Sequence, residues 1–152
     1  MNRKLATITL AHLIALLMPL TSMAASHDAA AMHGMAMSGT ILDETVTMDG
    51  VVAAVQLFDR QEAMAKSGME ATHHLMINFS KVEDGTPMAD GVAAVKVTPP
   101  SGEELAVKKM MPMGTGFGVD LALKESGTYT FTVGTKLDDG KRRQFLFRAE
   151  VK

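Results

Sequence analysis

The chain has 152 residues, 14 of them methionine, with no cysteine, no tryptophan and a single tyrosine. Its 15 Lys and Arg against 17 Asp and Glu give a net charge of −2, and no basic stripe runs along the sequence, which argues against nucleic acid as a partner. Without cysteine there are no disulfide staples, any soft-metal site must use Met and His, and the scarcity of aromatic rings argues against sugar stacking.

The N-terminus reads as a signal peptide. Asn2-Arg3-Lys4 is a basic head, Leu5 to Leu17 is a mostly apolar stretch interrupted by His12, and Ser22-Met23-Ala24 places small residues at −3 and −1. The expectation is a leader over 1–24, cleaved after Ala24, and an exported, periplasmic protein. The apolar stretch is near the lower length limit for a membrane span, and Pro19 with the cleavage site argues against an uncleaved anchor. After cleavage the protein is expected not to span the membrane.

Residues 25–40 are rich in Ala, Ser, Gly, His and Met with no steady apolar period, and read as a flexible arm. Cleavage after Ala24 exposes Ala25-Ser26-His27. A free amine, two deprotonated amides and the His27 imidazole form a square-planar nitrogen set suited to Cu(II) or Ni(II). Behind it, Met32, His33, Met35 and Met37 offer thioether and imidazole donors suited to Cu(I) or Ag(I).

From 41 to 152 short β-type runs alternate with turn signals. Val51 to Phe58 is a near-continuous apolar strand, and clear β patterning starts only at about Thr45. Asp59 to Lys66 is the one candidate helix, with Asp59 as its cap and Gly68 as its end; a polar loop is the alternative. His74 to Phe79 alternates cleanly: Leu75, Ile77 and Phe79 face one way, His74, Met76 and Asn78 the other. His73 projects with the core-facing set but lies at the strand entrance, where it is expected to stay wet.

Val92 to Thr98 is a further strand, Pro99-Pro100-Ser101-Gly102 a turn, and Glu104 to Lys109 a returning strand. Pro112 and the glycines around it make Met110 to Gly116 a loop, with one of Met110, Met111 and Met113 in the core and the others available as donors. Met88, in another turn, is a weaker candidate donor. Phe117, Val119, Leu121 and Leu123 alternate, as do Tyr129, Phe131 and Val133, and Asp138-Asp139-Gly140 turns into Phe145, Phe147, Ala149 and Val151. The sum is an all-β fold: an immunoglobulin-like β-sandwich of about seven strands with one possible short helix.

His74-Leu75-Met76 is the sharpest feature of the domain. In a strand, residues i and i+2 share a face with Cα atoms about 6.5–7 Å apart, so His74 and Met76 converge on one ion, with Met111 or Met113 as a third donor. An exposed pair with no function is the plain alternative. Catalysis finds no support: Ser101 and Ser126 lie in turns without a nucleophile elbow, and Asp138-Asp139-Gly140 lacks the rest of a calcium loop.

The stretch from His74 to Lys152, with "HHLMINF", "DGTPMADGVAAVKVTPP" and "MMPMGTGFGVDLALKESGTYTFTV", resembles the YtkA-like family and the related periplasmic part of FixH proteins. The resemblance implies an exported immunoglobulin-like sandwich and, through FixH-like proteins, copper delivery during oxidase assembly. The chain departs from the family in having no His between Met110 and Phe117. Met32-His33-Gly34-Met35 is similar to the Met/His-rich segments of bacterial copper-resistance proteins. A periplasmic, non-enzymatic copper-binding protein that buffers copper or hands it to an accepting protein is therefore expected. The alternative is a metal-free interaction module of an envelope complex.

Overall fold

The computed structural model describes residues 39–152. The leader, the Ala25 start and the arm donors His27, Met32, His33, Met35 and Met37 lie outside the described residues. Two antiparallel sheets face each other. The first has the order β1 (Thr40–Met48), β2 (Val51–Asp59), β3 (His73–Lys81), β7 (Gly116–Leu121), β6 (Met111–Met113); the second has the order β5 (Lys108–Lys109), β4 (Gly91–Thr98), β8 (Gly127–Leu137), β9 (Arg142–Val151). The helix, α1, spans Gln61–Lys66.

Stripping β1 and β5 from the two edges leaves β2-β3-β7-β6 over β4-β8-β9, the four-plus-three strand arrangement of an immunoglobulin constant-type sandwich. A tyrosine corner supports that assignment. Tyr129, near the start of β8, is buried, and its hydroxyl accepts a hydrogen bond from the Glu125 backbone N–H at 2.8 Å. The core between the sheets holds the alternating residues read from the sequence: Leu75, Ile77 and Phe79, Phe117 and Leu121, Phe131 and Val133, Phe145 and Phe147.

Four expectations need correction. The first strand starts at Thr40, earlier than the patterning suggests, and the Gly39 carbonyl already accepts from Asp59 N–H at 2.6 Å. The stretch from Glu104 to Lys109 is largely irregular. Only Lys108 and Lys109 pair with β4, and Leu105 N–H makes one bond to the Val97 carbonyl.

Met111 to Met113 is not a loop. It forms edge strand β6, paired with β7, because an edge tolerates the donor that Pro112 lacks; Gly114, at φ +58°, makes the turn between them. The chain changes sheets at Met110, which is buried as expected for one of the three methionines. Met88 is also buried, its N–H bonded to the Phe79 carbonyl at 2.8 Å, so it is core and no donor.

Candidate metal centre

Strand register brings the candidate donors onto the outer face of the first sheet. Met76 stands opposite Gly118, and Gly118 opposite Met111; one row along, Phe58, His74 and Asp120 are aligned. On the other side of β3, Leu75 and Ile77 are fully buried, which pins the strand and fixes the direction of His74 and Met76.

Helix α1 roofs part of this face. Asp59 Oδ1 accepts from Gln61 N–H at 2.9 Å and starts the turn, while Gly68, at φ +70°, ends it. The cap position itself is Arg60, with no side-chain capping bond. Met64 is buried beneath the helix, and the Arg60 guanidinium lies 5.5 Å above the Phe58 ring. Phe58, Met64, Met69, His74, Met76 and Met113 line one open cleft of about 490 Å³.

His74 is oriented by a carboxylate. Its Nδ1 lies 2.7 Å from Asp120 Oδ1. An ionised carboxylate only accepts hydrogen bonds, so Nδ1 carries the proton and the neutral ring keeps the Nε2 lone pair for a ligand. This carboxylate–histidine arrangement is the one that fixes the tautomer and ring plane of metal-bound histidines.

The Cε1–Nε2 edge of the His74 ring lies over Gly118. A Cβ built on that glycine would lie 3.1 Å from His74 Nε2 and 3.2 Å from Met113 Sδ, so imidazole and thioether flank one small gap that exists because residue 118 has no side chain. Lys108 Nζ donates to the Asp120 carbonyl at 3.1 Å and holds β7 from the far side.

Of the two alternative third donors, Met113 reaches the cleft. Met111 is on the same face but 61% exposed and does not line it. Asp120 and Met69 carry no signal in the sequence that singles them out. Among the described residues no three His, Asp or Glu side chains gather into a cluster, so the donors here are one imidazole and thioethers. That set favours a soft, low-valent cation over Zn²⁺, Ca²⁺ or Mg²⁺.

His73 belongs to neither the cleft nor the solvent. It is 4% exposed on the core side of β3, and its Nδ1 lies 2.7 Å from Thr72 Oγ1. Burial lowers its pKa, opposed in part by the nearby Asp59 carboxylate. A histidine whose folded pKa is depressed binds fewer protons folded than unfolded as pH falls below about 6.5, so its burial costs stability in acid. Stability, and with it the melting temperature, is therefore expected to fall between pH 7 and 5, with this group contributing at most about 1.4 kcal/mol per pH unit. A His73→Gln variant should flatten that slope in thermal melts; an unchanged slope would contradict the assignment.

No family model matches the chain, and no curated protein matches it. Among solved structures, the fold is similar to a DUF4426 family protein from Pseudomonas aeruginosa PAO1, with TM-score 0.52 and 13% identity over 72% of this chain and 94% of that one. It is also similar to the PmoD soluble domain from Methylocystis sp. ATCC 49242 (Rockwell), with TM-score 0.43 and 11% identity over 71% of this chain and 96% of that one. No helix among the described residues is long and apolar enough to cross a membrane. The likeness to the first of these structures shows the fold, an all-β sandwich.

Proposed function

We propose that this is an exported copper-binding protein whose sandwich holds Cu(I) at His74, Met76 and Met113. The observation that carries the reading is the pairing of His74 Nδ1 with Asp120, which leaves Nε2 at the ring edge that shares the space over Gly118 with Met113 Sδ. One neutral nitrogen and two thioethers form an uncharged, soft donor set, suited to a monovalent ion that needs few ligands.

The role is binding and transfer rather than catalysis. The cleft opens to solvent beside Met69, whose thioether is exposed and lines the same cleft. Met69 supplies an entry point at which an incoming or departing ion exchanges one sulfur for another. The arm, through Ala25-Ser26-His27 and the Met32–Met37 donors, adds capture of copper ahead of the domain. Buffering, or delivery to an accepting protein, follows from a site that is open on one side. The YtkA-like and FixH-like resemblance of the quoted motifs supports the same reading.

Competition with a chromophoric Cu(I) chelator tests it, using a chain that starts at Gly39 and so lacks the arm. One Cu(I) should bind per chain, with affinity that weakens on acidification because protons compete for Nε2. The double variant His74→Ala/Met76→Leu should lose that binding. Equal affinity in the variant would remove the domain site, and the metal-free interaction module would become the better reading.

A further inference from the structure

The outer face of the second sheet carries a charge pattern that alternation hides in the sequence. Register brings Lys136 beside Arg142, and places Lys109 and Arg148 on the same face from the two edge strands. All four are exposed, and none makes an ion pair among the described residues. Lys96, also on this face, is paired with Glu104 at 2.8 Å. The one outward-facing acidic residue on its strands, Glu150, stands in the last row and accepts from Thr128 at 2.7 Å. Between the cations, Val92 and Leu146 are 52% and 48% exposed.

The outer face of the first sheet has no Lys or Arg on its strands and carries Asp43 and Asp120 instead. In a chain of net charge −2, the outward-pointing Lys and Arg of the strands thus lie on the second sheet, while Arg60 and Lys66 lie at the helix over the first. The outer side of the second sheet is uncovered by any helix among the described residues, and Val92, Lys109, Lys136 and Arg142 line one open hollow of about 720 Å³ in it. Its four strands, about 4.8 Å apart, and the run from Arg142 to Arg148, about 20 Å long, make a small open surface.

We propose that this face docks the domain on an anionic phospholipid surface. Lys109, Lys136, Arg142 and Arg148 meet headgroup phosphates, while Val92 and Leu146 settle among the headgroups. A rim of cations around two aliphatic side chains suits a surface that is charged and apolar within a few ångströms. Docking through the second sheet leaves the cleft of the first sheet facing away from the lipid. The proposal does not depend on the copper reading.

Vesicle flotation of the exported chain provides the test. With vesicles of equimolar phosphatidylglycerol and phosphatidylcholine, the wild type should float, and in molar salt it should not. With phosphatidylcholine alone it should stay in solution. Lys136→Gln/Arg142→Gln/Arg148→Gln, with an unchanged circular dichroism spectrum, should weaken binding about a hundredfold. Asp43→Asn, on the opposite sheet, should bind as wild type and report any general loss of fold or handling. Equal flotation on both vesicle types, or unweakened binding by a folded triple variant, would overturn the proposal. So would retention by an acidic protein or nucleic-acid matrix without flotation.

Discussion

A valine at position 118 should abolish Cu(I) binding and leave the fold intact. Gly118 lies mid-strand in β7 without a positive φ, and β-branched residues suit such positions. The nearest atoms a new Cβ would meet are His74 Cε1 and Nε2 at 3.1 Å and Met113 Sδ at 3.2 Å, all of them side-chain tips rather than backbone. The backbone pairing of β7 with β3 and β6 is untouched, so the fold should persist, with the melting temperature lowered by the cost of overpacking a buried position, about 1–3 kcal/mol. The added methyl groups, however, fill the gap on which imidazole and thioether converge. Affinity should fall by at least about a hundredfold, the upper range for changes in groups that merely support a metal site. Cu(I)-chelator competition reads the loss; unchanged affinity would place the ion elsewhere.

Phe79→Ala should be the most damaging single change to the domain. Phe79 ends the core-facing run of β3, and its ring lies 6.0 Å from Phe117 in its own sheet and 5.4 Å from Phe145 in the facing sheet. It is a bridge between the two layers, and its backbone carbonyl also holds Met88. Truncation removes both ring contacts and leaves a cavity that the paired strands cannot close, at a cost of about 3–5 kcal/mol. Against a typical total of about 5–15 kcal/mol, that is enough to lower the midpoint of urea denaturation sharply. Because His74 and Met76 sit on the same strand, copper binding should weaken near the new melting range and recover on cooling. A shift of under about 1 kcal/mol, the range of a well-tolerated swap, would show that the core is not organised around this ring.

Part of this arrangement is legible in the sequence itself. The alternation of Leu75, Ile77 and Phe79 against His74 and Met76 is readable because a half-buried strand imposes period two. The Asp138-Asp139-Gly140 turn is readable because glycine supplies its φ of +69° at Gly140. Asp120 is not, since its bond to His74 spans 46 residues and depends on the β3–β7 register, which no local pattern announces. Gly118 has the pattern of an ordinary strand glycine, and only the side chains around its missing Cβ give it a role.

The segments whose patterning misleads share a cause. Thr40 to Thr45 and Met111 to Met113 are edge strands. Exposure dilutes the hydrophobic signal of the first, and Pro112 with its neighbouring glycines mimics a loop in the second. Met88 follows a Gly-Thr-Pro turn and so has the pattern of an available donor, yet a backbone bond to Phe79 draws it inward. The basic face of the second sheet is hidden for a different reason: its members come from several strands and are interleaved with core residues.

X-ray absorption at the copper edge, on the Cu(I)-loaded chain starting at Gly39, tests the central claim most directly. The account predicts a shell of one imidazole nitrogen with thioether sulfur, and His74→Ala should remove the imidazole scattering. A shell of oxygen and nitrogen alone, or an imidazole signal that survives in His74→Ala, would contradict it.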